Sequence, residues 1–110
     1  MAKQYHIQLD RKIIRNAKIA ILPGDPGRVI KIGEKLSSKS RELAFNREYR
    51  SYLVPIGKKD HILVVSNGIG GPSTAICIEE LASLGVTTFV RIGTTGSIQK
   101  NLKEIGRAHV

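Results

Sequence analysis

Tryptophan is missing from this sequence, and three tyrosines and two phenylalanines are its whole aromatic content. A core built from it is therefore aliphatic, and few rings are on hand to stack nucleic-acid bases. The single cysteine, Cys77, excludes an intrachain disulfide and a cysteine metal cluster, and it fits a reducing compartment. No segment approaches the roughly 20 apolar residues of a membrane helix. The opening MAKQYHIQLDRK has no apolar stretch of the kind a secretory signal carries. These absences predict a cytoplasmic chain without a membrane partner. Acids are scarce too: 9 against 18 Lys and Arg, a formal charge of +9 over 110 residues. The excess is concentrated in residues 1–55, with 12 basic and 5 acidic side chains. Such a balance favours an anionic partner.

Several chemistries lack their motifs. No glycine turn is followed by Lys-Ser or Lys-Thr, so there is no nucleotide P-loop, and GIGG lacks dinucleotide-fingerprint spacing. Glu79 and Glu80 are adjacent in a helical stretch and are expected to face solvent rather than to form a catalytic carboxylate pair. His6 and His61 have no metal-ligand spacing, and Ser73 has no visible base partner.

What is present is a set of apolar runs that end in glycine turns. KIAILP (18–23) reads as a buried strand stopped by PGDPGR. Asp25 then suits an N-cap and Pro26 a first-turn proline, ahead of a helix with Val29, Ile32 and Leu36 at helical spacing. RELAFNREYRSYLVPIG (41–57) reads as one extended stretch on a sheet margin, with a hairpin tip at Lys58–Asp60 and a strand in HILVVSNG. GGPSTAICIEELASLG reads as a helix opened by Pro72 and stopped by Gly85, and VTTFVRIG as a strand running into GTTGS. The predicted order is strand, helix, two strands, helix, strand: one α/β domain with a mostly parallel sheet. In such sheets ligands gather at the carboxyl ends of strands. Parallel strands would bring PGDPGR, NGIGGPS and GTTGS to one edge.

Those turns suit a phosphate dianion. Glycine leaves backbone N–H groups uncovered, a helix start adds partial positive charge, and Arg28, Arg91 and Arg47 supply guanidinium forks beside the hydroxyls of Thr94 and Thr95. The competing reading of PGDPGR is a plain surface turn. For Arg47 and Arg50 it is a solvated strand face. For Arg91, which ends an apolar strand, the choice is between a structural carboxylate and a ligand.

ILPGDPGRV, NREYRSY, NGIGGPSTAICIEEL and VRIGTTGSI, in this order, resemble the nucleoside phosphorylases of the small-subunit hexameric type, on their uridine-cleaving branch. The resemblance runs from about His6 to Gln99 and matches the N-terminal part of the family chain. It implies a three-layer α/β/α fold with a mixed, largely parallel central sheet. It implies phosphorolysis, uridine plus phosphate giving uracil and ribose 1-phosphate, with the catalytic groups Arg28, Arg91 and Thr94. Gly24, Arg28, Arg47, Arg91 and Thr94 would hold phosphate, with Arg47 supplied by a neighbouring subunit. His6, also from the neighbour, and Thr94 would meet the ribose, while Thr95 and Gly96 would line the base. No cofactor is required, but Glu48, Ile69 and Ser73 match positions that in some members hold potassium at a dimer interface. The implied partners are phosphate, uridine and further copies of the chain, in a hexamer of dimers with shared sites.

The resemblance also implies that residues 1–110 are one truncated part of the domain, ending in an atypical tail over 100–110. The expected consequence is a phosphate-binding half-site with little turnover of its own. A small basic nucleic-acid-binding module and a non-catalytic interaction subunit are the alternatives. Nucleic acid is disfavoured by the few aromatics and the absence of a binding motif.

Overall fold

The computed structural model describes residues 3–93. Strand β1, Ile19–Pro23, buries Ala20 and Leu22 and stops at the Gly24–Asp25 turn. Asp25 caps the following helix by accepting the Gly27 N–H at 3.2 Å, and Pro26 occupies the first turn, as the sequence predicts. Helix α1, Pro26–Leu36, lies close to the sheet because Gly33 faces Tyr52, where a Cβ would come within 3.0 Å of the ring.

The stretch predicted to be one extended segment is two strands. β2 spans Arg41–Asn46 and β3 spans Tyr49–Ile56, paired antiparallel from Asn46 opposite Tyr49. The two-residue loop between them is Arg47–Glu48, with Arg47 at φ +54°. Tight hairpin loops need positive φ and usually recruit glycine or asparagine, so an arginine there gives no sequence signal. After a second hairpin, turned by Gly57 at φ +65°, strand β4 runs Asp60–Val65. Helix α2, Gly71–Ser83, ends as its glycine predicts. Gly85 takes φ +100°, its N–H reaches the Ala82 carbonyl at 3.0 Å, and the Val86 N–H reaches Leu81 at 3.2 Å. This pair of bonds is a Schellman closure. Strand β5 is Thr88–Ile92.

The five strands lie in the order β2-β3-β4-β1-β5. β1 is parallel to β4 and to β5, and β3 is antiparallel to both of its neighbours. Four strands therefore share a direction and β3 alone is reversed, giving the mixed, largely parallel sheet that was expected. Val29 of α1 packs on Val54 and Val64 across one face. Cys77 and Leu81 of α2 and the following Leu84 pack on Ala20, Leu22, Leu53, Leu63 and Val65 across the other. The layering is α/β/α.

Residues 3–17 carry no periodic pattern and form no helix or strand, yet Ile7, Leu9 and Ile14 are wholly buried on the α2 face. Among the described residues no helix is long and apolar enough to cross a membrane.

Candidate functional site

Because β4, β1 and β5 are adjacent and parallel, their carboxyl ends open at one edge. The first two turns are tied together there: the Asn67 N–H donates to the Pro23 carbonyl at 3.0 Å and the Gly68 N–H to Gly24 at 3.1 Å. Between the turns lies an open cleft of about 760 Å³, bordered by Gly24, Arg28, Glu48, Ile69, Arg91 and Gly93. Four of these lie in the turn motifs read from the sequence, Arg91 comes from the end of β5, and Glu48 from the hairpin loop.

Arg91, for which a structural carboxylate or a ligand was expected, is solvent-exposed at the end of β5. Its Nη1 donates to the carbonyls of Leu22, at 3.3 Å, and Ile92. The head lies across two glycines. A Cβ on Gly24 would stand 3.2 Å from Nη2, and one on Gly93 2.8 Å from Nη1. These glycines therefore make room for a side chain rather than for a sharp turn. Neither Arg91 nor Arg28 has a carboxylate within salt-bridge distance among the described residues, whose ion pairs are His6–Glu80 and Arg50–Glu42.

Two carboxylates also border the cleft, and both are engaged. Asp25 accepts from Gly27, and the Arg28 N–H is taken by the Asp25 carbonyl. The start of α1 therefore has fewer open amides than its glycines imply. The start of α2 differs: its N-cap is Gly70, at φ +89°, no side chain caps it, and no acid lies in its first turn. Uncapped first-turn amides carry the positive end of the helix dipole toward the cleft.

Glu48 is held by its surroundings. The Ser73 hydroxyl donates to its Oε2 at 2.6 Å, and the Ser66 hydroxyl holds its carbonyl at 2.5 Å. The Ser73 bond, then a bond to its own backbone, and the nearby charge of Arg47 pull the Glu48 carboxyl below its ordinary value, against a smaller desolvation effect. Gly68, at φ +72°, must be glycine here, since a Cβ would meet Ser73 Oγ at 2.6 Å and Glu48 Cγ at 2.7 Å. The Ser73 oxygen also lies 2.7 Å from the Asn67 carbonyl and 3.2 Å from the Tyr49 hydroxyl. One hydroxyl proton cannot serve both the carboxylate and that carbonyl, and Asn67 Oδ1 is buried without a partner among the described residues. An oxygen-rich spot short of donors fits a hard cation. Among the described residues there is no group of three His, Cys, Asp or Glu side chains suited to a metal.

The structure does not bring every predicted residue together. Arg47 is exposed on the hairpin loop and does not border the cleft of its own chain. His6 lies with Glu80 on the α2 side, hydrogen-bonded Nδ1 to Oε2 at 2.6 Å. Ile69 is 96% exposed. Thr94, Thr95 and Gly96 fall outside the described residues. Glu80 was expected to face solvent, but only Glu79 does; the Glu80 side chain is 14% exposed. A signal was available: an acid in the last turn of a helix opposes the dipole and asks for a specific partner. Cys77 is buried beneath this region, and burial, with Glu80 and Glu48 nearby, pushes its thiol up to about 12.

A family model described as the phosphorylase superfamily matches residues 18–106. A protein named uridine phosphorylase in Thermococcus kodakarensis is 52% identical over 103 residues, covering 94% of this chain and 35% of that protein. One of the same name in Haemophilus influenzae is 47% identical over 102 residues, covering 93% of this chain and 40% of that protein. A protein named guanosine phosphorylase in Halorubrum lacusprofundi is 43% identical over 106 residues, covering 96% of this chain and 42% of that protein. The chain thus spans between 35% and 42% of the length of these relatives.

Proposed function

Because this chain belongs to the phosphorylase superfamily, we propose that the protein carrying it transfers the ribosyl group of uridine to phosphate, giving uracil and ribose 1-phosphate. The observation that carries this reading is the cleft itself. Two guanidiniums without carboxylate partners among the described residues and an uncapped helix start border one opening, and both carboxylates beside them are already engaged. Relatives named uridine phosphorylase supply the choice of nucleoside.

In this reading Arg28 and Arg91 grip the phosphate oxygens, Gly24 and Thr94 complete the cradle, and Arg47 reaches in from a second copy. His6 of that copy and Thr94 meet the ribose, and Thr95 and Gly96 line the base. No protein nucleophile is needed. As the glycosidic bond stretches, the sugar gains positive charge. A fixed phosphate below it acts as counter-charge and then as attacker, so positioning and electrostatics supply most of the acceleration. Glu48, Ser73 and the main chain of Ile69, the only donor group isoleucine has, would hold a potassium ion where two copies meet. The 110 residues by themselves hold the phosphate half of the site and turn over little substrate.

Uracil release from uridine and phosphate tests the proposal. The intact protein should release uracil only when phosphate is present, and Arg91→Ala should lower the rate by about 10²–10³, the usual cost of losing one preorganised electrostatic contact. Phosphate-independent release, or an unimpaired Arg91→Ala enzyme, overturns it. Robust turnover by the 110-residue chain overturns the half-site part alone.

A further inference from the structure

His6 is tethered at every polar atom but one. Its N–H donates to Glu80 Oε1 at 3.0 Å, its carbonyl accepts from Asn46 Nδ2 at 2.8 Å, and its Nδ1 lies 2.6 Å from Glu80 Oε2. The Ile7 N–H also donates to Glu80 Oε1, at 3.0 Å. Tyr5 and Tyr49 meet the imidazole edge-on, at 4.9 and 6.4 Å between ring centres. Nε2 makes no hydrogen bond to the described residues, and the side chain remains 28% exposed.

The two carboxylate oxygens divide the work. Oε1 takes the N–H groups of residues 6 and 7 at 3.0 Å; Oε2 takes the ring Nδ1 at 2.6 Å and shares the His6 N–H only at the longer 3.3 Å. A carboxylate oxygen can only accept, so the hydrogen must reside on Nδ1, and the neutral ring is left with its lone pair on Nε2. We propose that Glu80 is a positioning residue that locks His6 as the Nδ1–H tautomer and presents Nε2 as a hydrogen-bond acceptor for a hydroxyl group. On the reading given under Proposed function, on which this last identification rests, that hydroxyl belongs to the nucleoside sugar.

Glu80→Gln separates the two roles. The amide oxygen can keep the backbone clamp while the amide NH₂, placed at Nδ1, can only donate. The ring would then carry its hydrogen on Nε2 and become a donor where it was an acceptor. Long-range ¹H–¹⁵N spectra of histidine-labelled protein, recorded with His6 neutral, read this directly. The wild type should show Nδ1–H and the Gln variant Nε2–H, with the spectrum otherwise that of a folded protein. A wild-type Nε2–H form overturns the proposal without any variant, as does a folded Glu80→Gln protein that keeps Nδ1–H. In the intact enzyme the same substitution should raise KM for uridine about tenfold and leave KM for phosphate unchanged. A switched tautomer with an unmoved uridine KM upholds the lock and overturns the placing of His6 on the sugar.

Discussion

The carboxylate of Glu48 sits on a two-residue loop, beside the cleft, with a serine hydroxyl aimed at it. Its pKa is lowered chiefly by that one hydrogen bond. The sign for stability follows. A carboxyl held below its ordinary value of 4.5 contributes stability that is complete above about pH 4.5 and is lost as pH falls through the folded-state value. Ser73→Ala removes the largest cause. The melting temperatures of the wild type and the variant should therefore differ most above pH 4.5 and converge on acidification. Parallel curves across that range would show that Ser73 stabilises by another route, such as its contacts with Asn67 and Tyr49. Arg47, one residue earlier, holds φ +54°, a conformation costing a non-glycine residue about 1–2 kcal/mol. Its side chain is exposed and clear of the cleft of its own chain.

Helix α2 runs from the cleft to Glu80, which holds His6, and its two ends are finished differently. The first is left uncapped toward the cleft; the last is closed by Gly85. Gly85→Ala places a Cβ at φ +100° and should cost about 1–2 kcal/mol. For a chain of this size each kcal/mol lowers the melting temperature by about 4–8 °C. A loss below 1 °C would mean that the closure relaxes at no cost. This ending was legible because its chemistry is local: a glycine one residue past the last apolar position. The same holds for the β1–α1 turn, where Asp25, Pro26 and Gly27 act within two residues of one another. The missed features are those whose cause lies far away in sequence. The β2–β3 hairpin turns on an arginine, so no turn residue announces it. Residues 3–17 have no period because they are shaped by the α2 face they cover. Glu80 finds its partner 74 residues away. Arg28, Arg91 and Gly24 border one cleft because parallel strands bring their ends together, whereas the engagement of Glu48 by Ser73, 25 residues on, depends on a pairing no linear pattern encodes.

At the scale of the whole molecule, the +9 charge and the cleft make separable demands on anions. Any salt screens the repulsion among 18 basic side chains, and this general effect depends on ionic strength. A phosphate seated between Arg28 and Arg91 adds a specific term that grows with occupancy, about 2.7 kcal/mol when the anion is at 100 times its dissociation constant. Thermal unfolding in phosphate and in chloride, matched for ionic strength, separates the two. Phosphate should raise the melting temperature beyond chloride in the wild type. Arg28→Ala and Arg91→Ala should keep the chloride increment, since each removes one of many charges, and should lose the difference between the two salts. If phosphate and chloride act alike in the wild type, or if the difference survives both substitutions, the two guanidiniums do not share an anion. The charge of this chain would then be a property of its surface rather than of its cleft.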